Sequence, residues 1–226
     1  MQNLGRYRPD LQAWAQAGGV PMDFVGTQRT GPSGWDNDHE GHAGYRISQL
    51  LNGAGGDGTD GNGHPDGLAV WLAKLAAKGQ TPHVVLLMIG TNDILAGQAA
   101  RAAAIGNLGA LLDGLIGRLP VARIVVASIP PMTYSNPVWN GYVQAYNAEL
   151  AALVANKAAT GKLVEFIDVY ARLNAGDVSS DHVHLLSSGY EKTADAWADA
   201  WLSAIPEPAA MTLLVLAGLL MRLKRG

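Results

Sequence analysis

The sequence predicts an α/β domain whose parallel sheet is covered by helices on both faces. Three observations predict it. Two short runs are almost unbroken apolar sequence, His83 to Ile89 (HVVLLMI) and Arg123 to Ile129 (RIVVASI), as strands buried on both sides require. Long stretches with apolar residues at helical spacing lie between and after them. Gly90 and Pro130-Pro131 then end the two runs. Strands alternating with helices make parallel connections.

In chain order, residues 6–18 predict a first helix, with Leu11, Trp14 and Ala15 on one side and Gly18-Gly19 as the stop. Met22 to Thr27 reads as a short strand, followed by a Gly-, Asp- and His-containing loop. Residues 43–52 and 68–78 read as helices, separated by the Gly/Asp loop 53–67. After the strand 83–89, residues 99–119 predict a helix with Ile105, Leu108, Leu111, Leu112, Leu115 and Leu119 on its apolar face. Residues 137–157 follow the strand 123–129, with Val143, Tyr146, Leu150 and Leu153 on one face. Leu163 to Val169 is a further strand. The helix 187–203 is opened by the capping pair Ser187-Ser188.

Composition narrows the function classes. A chain of 226 residues with 48% hydrophobic residues can bury the core of one domain. A net charge of −3 excludes a basic nucleic-acid surface. The absence of Cys excludes disulfides, thiol nucleophiles and thiolate metal sites. No cofactor is implied. The domain is expected over 1–204, with 205–226 as a separate segment.

That last segment has three parts: Pro206-Glu207-Pro208, a nearly apolar stretch from Ala209 to Met221, and Arg222, Lys224 and Arg225. As a helix the apolar stretch spans roughly 20 Å, short for a hydrocarbon core of about 30 Å, and snorkelling basic residues close part of the gap. The basic end stays cytoplasmic by the positive-inside rule. The segment resembles the PEP-CTERM sorting tails of bacteria. The resemblance implies export, transient membrane anchoring by a C-terminal helix, and processing by an exosortase. The start, Met1-Gln2-Asn3-Leu4-Gly5-Arg6, lacks the apolar core of a signal peptide.

Ligands of open parallel sheets bind beyond the carboxyl ends of the strands. Gly90-Thr91-Asn92-Asp93 follows one strand there. Asp181-His182-Val183-His184 follows the loop after another, and Gly44 stands near the start of the helix 43–52. With these blocks in this order, the sequence resembles the SGNH (GDSL) hydrolases, closest to the carbohydrate esterases that deacetylate xylan. The resemblance covers roughly residues 5–203. It implies a three-layer α/β/α flavodoxin-like fold and an ester hydrolase acting through an acyl-enzyme on acylated carbohydrate. His184 takes the role of general base and acid, Asp181 orients its imidazole, and Asn92 and the Gly44 N–H stabilise the oxyanion. Asp93 organises its loop.

The family's Gly-Asp-Ser block precedes the Tyr-Arg stretch that Tyr7-Arg8-Pro9 matches, and the six residues before Tyr7 contain no Ser. Ser33, Ser48 and Ser128 are poor substitutes: Ser33 lies outside a Gly-x-Ser-x-Gly elbow, Ser48 on a helix and Ser128 in a buried strand. The expectation is that the first central strand and its nucleophile belong upstream of Met1. The chain as written then lacks esterase activity and folds poorly, because the strands at 22–27 and 83–89 each keep an unpaired edge. Other readings are a lysophospholipase or thioesterase of the same superfamily, or an inactive surface glycan-binding module. Of the weaker signals, Asp57 to Gly63 reads as a flexible loop rather than a Ca²⁺ loop. His39, His42 and His64 do not form a metal site. Trp35, Trp139 and Tyr134 lie where they could stack on a sugar or pack in the rim.

Overall fold

The computed structural model describes residues 7–53 and 66–202. In chain order the elements are α1 (Arg8–Ala17), β1 (Gln28–Arg29), β2 (Asp38–His39), α2 (Ile47–Asn52), α3 (Leu68–Ala77), β3 (Val84–Leu87), α4 (Thr91–Leu95), α5 (Gln98–Arg118), β4 (Arg123–Ala127), α6 (Val138–Ala159), β5 (Val164–Ile167) and α7 (Ser187–Leu202). Single 3-10 turns at Tyr170–Arg172 and Ala175–Asp177 bridge β5 and α7. The main sheet is parallel, in the order β3-β4-β5, with Leu86 opposite Val125 and Val125 opposite Glu165.

The alternation of strand β4 makes the layers. Ile124 and Val126 face Leu108 and Leu112 of α5 and Val143 and Leu150 of α6. Val125 and Ala127 face the other way, into a cluster with Leu11 of α1 and Trp197 of α7. A side-chain period of two therefore sends one strand into two cores, as expected when helices cover both faces. Helix α5 is long and apolar enough to cross a membrane, but Leu108 and Leu112 are 0% exposed against the sheet, so it is a core helix here. Asn147 of α6 pins the end of β4: its Oδ1 accepts from Ile129 N at 2.9 Å and its Nδ2 donates to Ile129 O at 3.0 Å.

The predicted strand at Met22–Thr27 does not form. Its backbone donors go to side chains: Phe24 N donates to Asp36 Oδ2 at 2.6 Å and Thr27 N to Glu40 Oε2 at 2.7 Å. A backbone held by carboxylates has no donors left at those positions for a ladder. Met22 and Phe24 still pack beside Val84 and Leu86. The ordered pairing in this region is the short antiparallel β1-β2 ribbon. Among the described residues β3 pairs only with β4. Its Val84, Val85 and Leu86 are half-buried, whereas Ile124 to Ala127 in β4 are at most 1% exposed. The loop Asp57 to Gly63, His64 and the segment 205–226 lie outside the described residues.

Candidate active site

Gly90 turns the chain out of β3 with φ +127°, and α4 begins at the next residue. The sequence suggested only a turn here. The left-handed φ favours glycine, and so does the space, because Tyr146 of α6 lies against the glycine face. The Tyr146 hydroxyl donates to Ile89 O at 2.9 Å, and burial pushes the phenol pKa upward, keeping it a neutral donor.

The first turn of α4 holds the Gly44 segment at two points. Asn92 Nδ2 donates to Tyr45 O at 3.0 Å, and Asp93 Oδ2 accepts from Ile47 N at 3.1 Å. Asp93 is 1% exposed and burial raises its pKa. Its bond ties α4 to the start of α2. Gly44 itself has φ +77° and is exposed. The structure thus brings Asn92 beside the segment that carries Gly44. A carboxamide has a second N–H to offer.

A platform that sequence reasoning missed supports this segment. The His42 imidazole is stacked 4.8 Å from the Tyr45 ring and 4.2 Å from the Trp71 ring. Its side chain is 2% exposed, and its Nε2 lies 2.8 Å from Glu40 Oε1. Glu40 in turn accepts from Thr27 Oγ1 at 2.8 Å and from Thr27 N. Burial works against the Glu40 carboxylate, but the bonds from His42 and Thr27 outweigh it and lower its pKa. His39 is also engaged: Nδ1 accepts from Gly41 N at 3.0 Å, and Nε2 meets Thr30 Oγ1 at 2.7 Å.

Asp181 and His184 lie together beyond β5. Asp181 Oδ2 is 2.7 Å from His184 Nδ1. Its Oδ1 accepts from Ser179 Oγ at 2.7 Å and from the backbone N–H groups of Val183 and His184, each at 2.9 Å. Those bonds, the His184 N–H first, hold the Asp181 carboxyl well below the usual carboxylate range. The turn depends on His182 at φ +69°, an uncommon conformation for a non-glycine residue. Ser179 N bonds His184 O at 2.7 Å and closes the base of the loop. Below it, buried Asp177 accepts from Lys192 Nζ at 2.6 Å and Ser188 Oγ at 2.9 Å, with its pKa lowered by Lys192 first.

The loop after β4 meets the dyad loop. Thr133 N donates to His182 O at 3.1 Å, and the Tyr134 and His182 rings are 5.1 Å apart. An oriented imidazole can take and return a proton, and paired N–H donors can hold a developing oxyanion. Among the described residues the His184 imidazole bonds to Asp181 and to no hydroxyl. Ser128 is 0% exposed, donating to Asp168 Oδ1 at 3.0 Å and accepting from Tyr170 N at 2.8 Å. Ser33 lies in an exposed turn and Ser48 in α2.

A sequence model of the GDSL-like Lipase/Acylhydrolase family matches residues 15–192. The chain belongs to this family. Among its relatives, a family 3 carbohydrate esterase of Clostridium thermocellum is 31% identical, with a TM-score of 0.64 over 84% of this chain and 82% of that one. A family 3 carbohydrate esterase of Talaromyces cellulolyticus shares the fold at 21% identity, with a TM-score of 0.70 over 88% and 90% of the two chains. A multidomain esterase of Ruminococcus flavefaciens is 28% identical over 87% of this chain. The chain spans 26% and 48% of the length of the curated relatives it matches. The match begins within α1 and ends within α7, so both the Gly90–Asp93 turn and the Asp181–His184 loop lie inside it.

Proposed function

We propose that the chain carries the acid–base and oxyanion half of an O-acyl esterase that acts on acylated, chiefly acetylated, carbohydrate. The observation that carries this reading is the 2.7 Å contact between Asp181 Oδ2 and His184 Nδ1. It leaves Nε2 as the proton acceptor on a side chain that is 60% exposed. The 31% identical relative described as a carbohydrate esterase supports the substrate class.

In this mechanism a serine Oγ–H gives its proton to His184 Nε2 as Oγ attacks the acyl carbon. Asp181 stabilises the resulting imidazolium. The oxyanion takes hydrogen bonds from Asn92 Nδ2 and Gly44 N–H. Collapse breaks the C–O bond to the sugar, and His184 returns the proton to the leaving hydroxyl. Water, activated by the same imidazole, releases the acid. The serine is assigned to a strand that pairs with Val84–Leu87. Among the described residues β3 pairs on one side only, and this and the half-buried valines support that position. The three-part tail at 206–225 supports export and anchoring at the cell surface, with exosortase processing.

The test compares p-nitrophenyl acetate turnover by residues 1–226 with turnover by a form extended upstream to include Gly-Asp-Ser. The extended form turns over the ester and His184→Ala abolishes it. Turnover by 1–226 that His184→Ala removes contradicts the assignment of the serine. No turnover by either form contradicts the esterase reading.

A further inference from the structure

A continuous run of rings leads away from the dyad loop. The His182 ring is 5.1 Å from Tyr134, Tyr134 is 5.9 Å from Trp139, and Trp139 is 6.1 Å from Tyr142, edge to face. The Arg101 guanidinium lies 4.1 Å over the Tyr142 ring and 6.0 Å from Trp139. It is held there by its own hydrogen bond, Nη1 to Ile94 O at 3.0 Å. Ile94 lies in α4, two residues beyond Asn92, so the run ends against the helix that carries Asn92. Tyr134, Trp139, Tyr142 and Arg101 are each half-buried.

Beside the last ring is a cavity of about 460 Å³ between α4, α5 and α6. Its lining includes Ile94, Gln98, Arg101, Tyr142, Tyr146 and Glu149. That volume falls within the range of small-molecule sites, about 300–1,000 Å³. The mixture of groups selects the ligand. A long acyl chain would strip water from Arg101, Glu149 and Gln98 and give nothing back. A sugar offers a C–H face to the rings and hydroxyls that donate to a carboxylate and accept from a guanidinium or carboxamide. A planar guanidinium fixed on a ring loses little freedom on binding.

We propose that Trp139, Tyr142 and Arg101, with the adjoining cavity, form a subsite for sugar units of the substrate chain beyond the acylated residue. The proposal rests on the carbohydrate-esterase reading for the chain it binds, but not on turnover. Truncating one stacking ring is expected to weaken binding about tenfold.

Calorimetric titration of the 226-residue chain with xylohexaose tests it, with a monomeric lysophospholipid as the competing probe. Xylohexaose binds the wild type, weakens about tenfold in Trp139→Ala and in Arg101→Met, and recovers in Trp139→Phe. The phenylalanine variant keeps a ring and separates lost stacking from a damaged fold. Absence of xylohexaose binding to the wild type, equal binding by Trp139→Ala, or preferential binding of the lysophospholipid overturns the subsite. None of these results depends on ester hydrolysis, which the His184→Ala comparison tests separately.

Discussion

Gly90 and Tyr146 fit together only because Gly90 has no side chain. A Cβ there would lie 2.5 Å from Tyr146 Cζ and 2.6 Å from its hydroxyl oxygen. Gly90→Ala therefore combines a clash with strain at φ +127° and is expected to cost about 3 kcal/mol or more. Tyr146→Phe loses only the bond to Ile89 O, about 1 kcal/mol, and does not rescue Gly90→Ala because Cζ remains. Denaturant unfolding of the three variants checks this.

Asp181→Asn separates orientation from stability. The side chains of His184 and Asp181 are 60% and 51% exposed, so the fold loses roughly 1 kcal/mol or less. Activity of the serine-containing protein falls by roughly 10⁴, because the amide favours the wrong imidazole tautomer. Steady-state kinetics beside thermal unfolding gives both readouts. A large fall in melting temperature with little change in kcat would refute the orienting role.

Asn92→Ala removes a donor and a tether together. Loss of one oxyanion donor lowers kcat roughly 10²- to 10³-fold. Loss of the bond to Tyr45 O adds a stability cost of about 1 kcal/mol. Asn92→Asp keeps the size but not the donor, so its kcat is expected to be as low as that of the alanine variant.

His42→Ala takes away the middle ring of the Tyr45 and Trp71 stack and leaves the Glu40 carboxylate short of a partner. The expected cost is about 2–4 kcal/mol. Hydrogen exchange is expected to rise at Tyr45 and Ile47, next to Gly44, before it rises in α5.

Acid weakens the neighbouring ribbon. Burial, then the charge on Arg8, lowers the His39 pKa from 6.5 to about 4. Protonation also removes the acceptor that Nδ1 offers to Gly41 N. The unfolded chain binds the proton more readily, so this contribution is present above pH 6.5 and is lost as pH falls through 4. With solvent screening it amounts to on the order of 1 kcal/mol. In His39→Gln the stability lost between those two pH values is expected to shrink. Loss at lower pH persists, because Glu40 and Asp181 have lowered pKa values.

The helical faces were legible in the sequence because apolar spacing is local, and Asp181 and His184 were singled out by the family resemblance. Val143, Tyr146 and Leu150 announce a helix face by their spacing. Asp181 and His184 meet within one turn, so sequence distance nearly equals spatial distance. The Met22–Thr27 strand was misread because residue types alone do not reveal that Asp36 and Glu40 take backbone donors of Phe24 and Thr27. The stack of His42, Tyr45 and Trp71 was invisible for a related reason. It joins two loop residues to one on α3, and no periodicity records such a contact. Helix α4 went unread because Gly90 looks like the end of an element, yet here it is the residue from which the next one starts.

Asn147, which grips both backbone groups of Ile129, has a consequence for rate as well as for stability. Asp181 and His184 form one rigid jaw. Asn92 and the Gly44 segment, joined through Tyr45 and Ile47, form the other. The loop after Ile129 touches the first jaw through Thr133 and His182, so the Asn147 clamp holds the root of a loop that meets that jaw. A substitution there would loosen the root of that loop while leaving the bonds within each jaw in place. On the esterase reading, it would detune proton transfer by His184 without touching either Asp181 or His184.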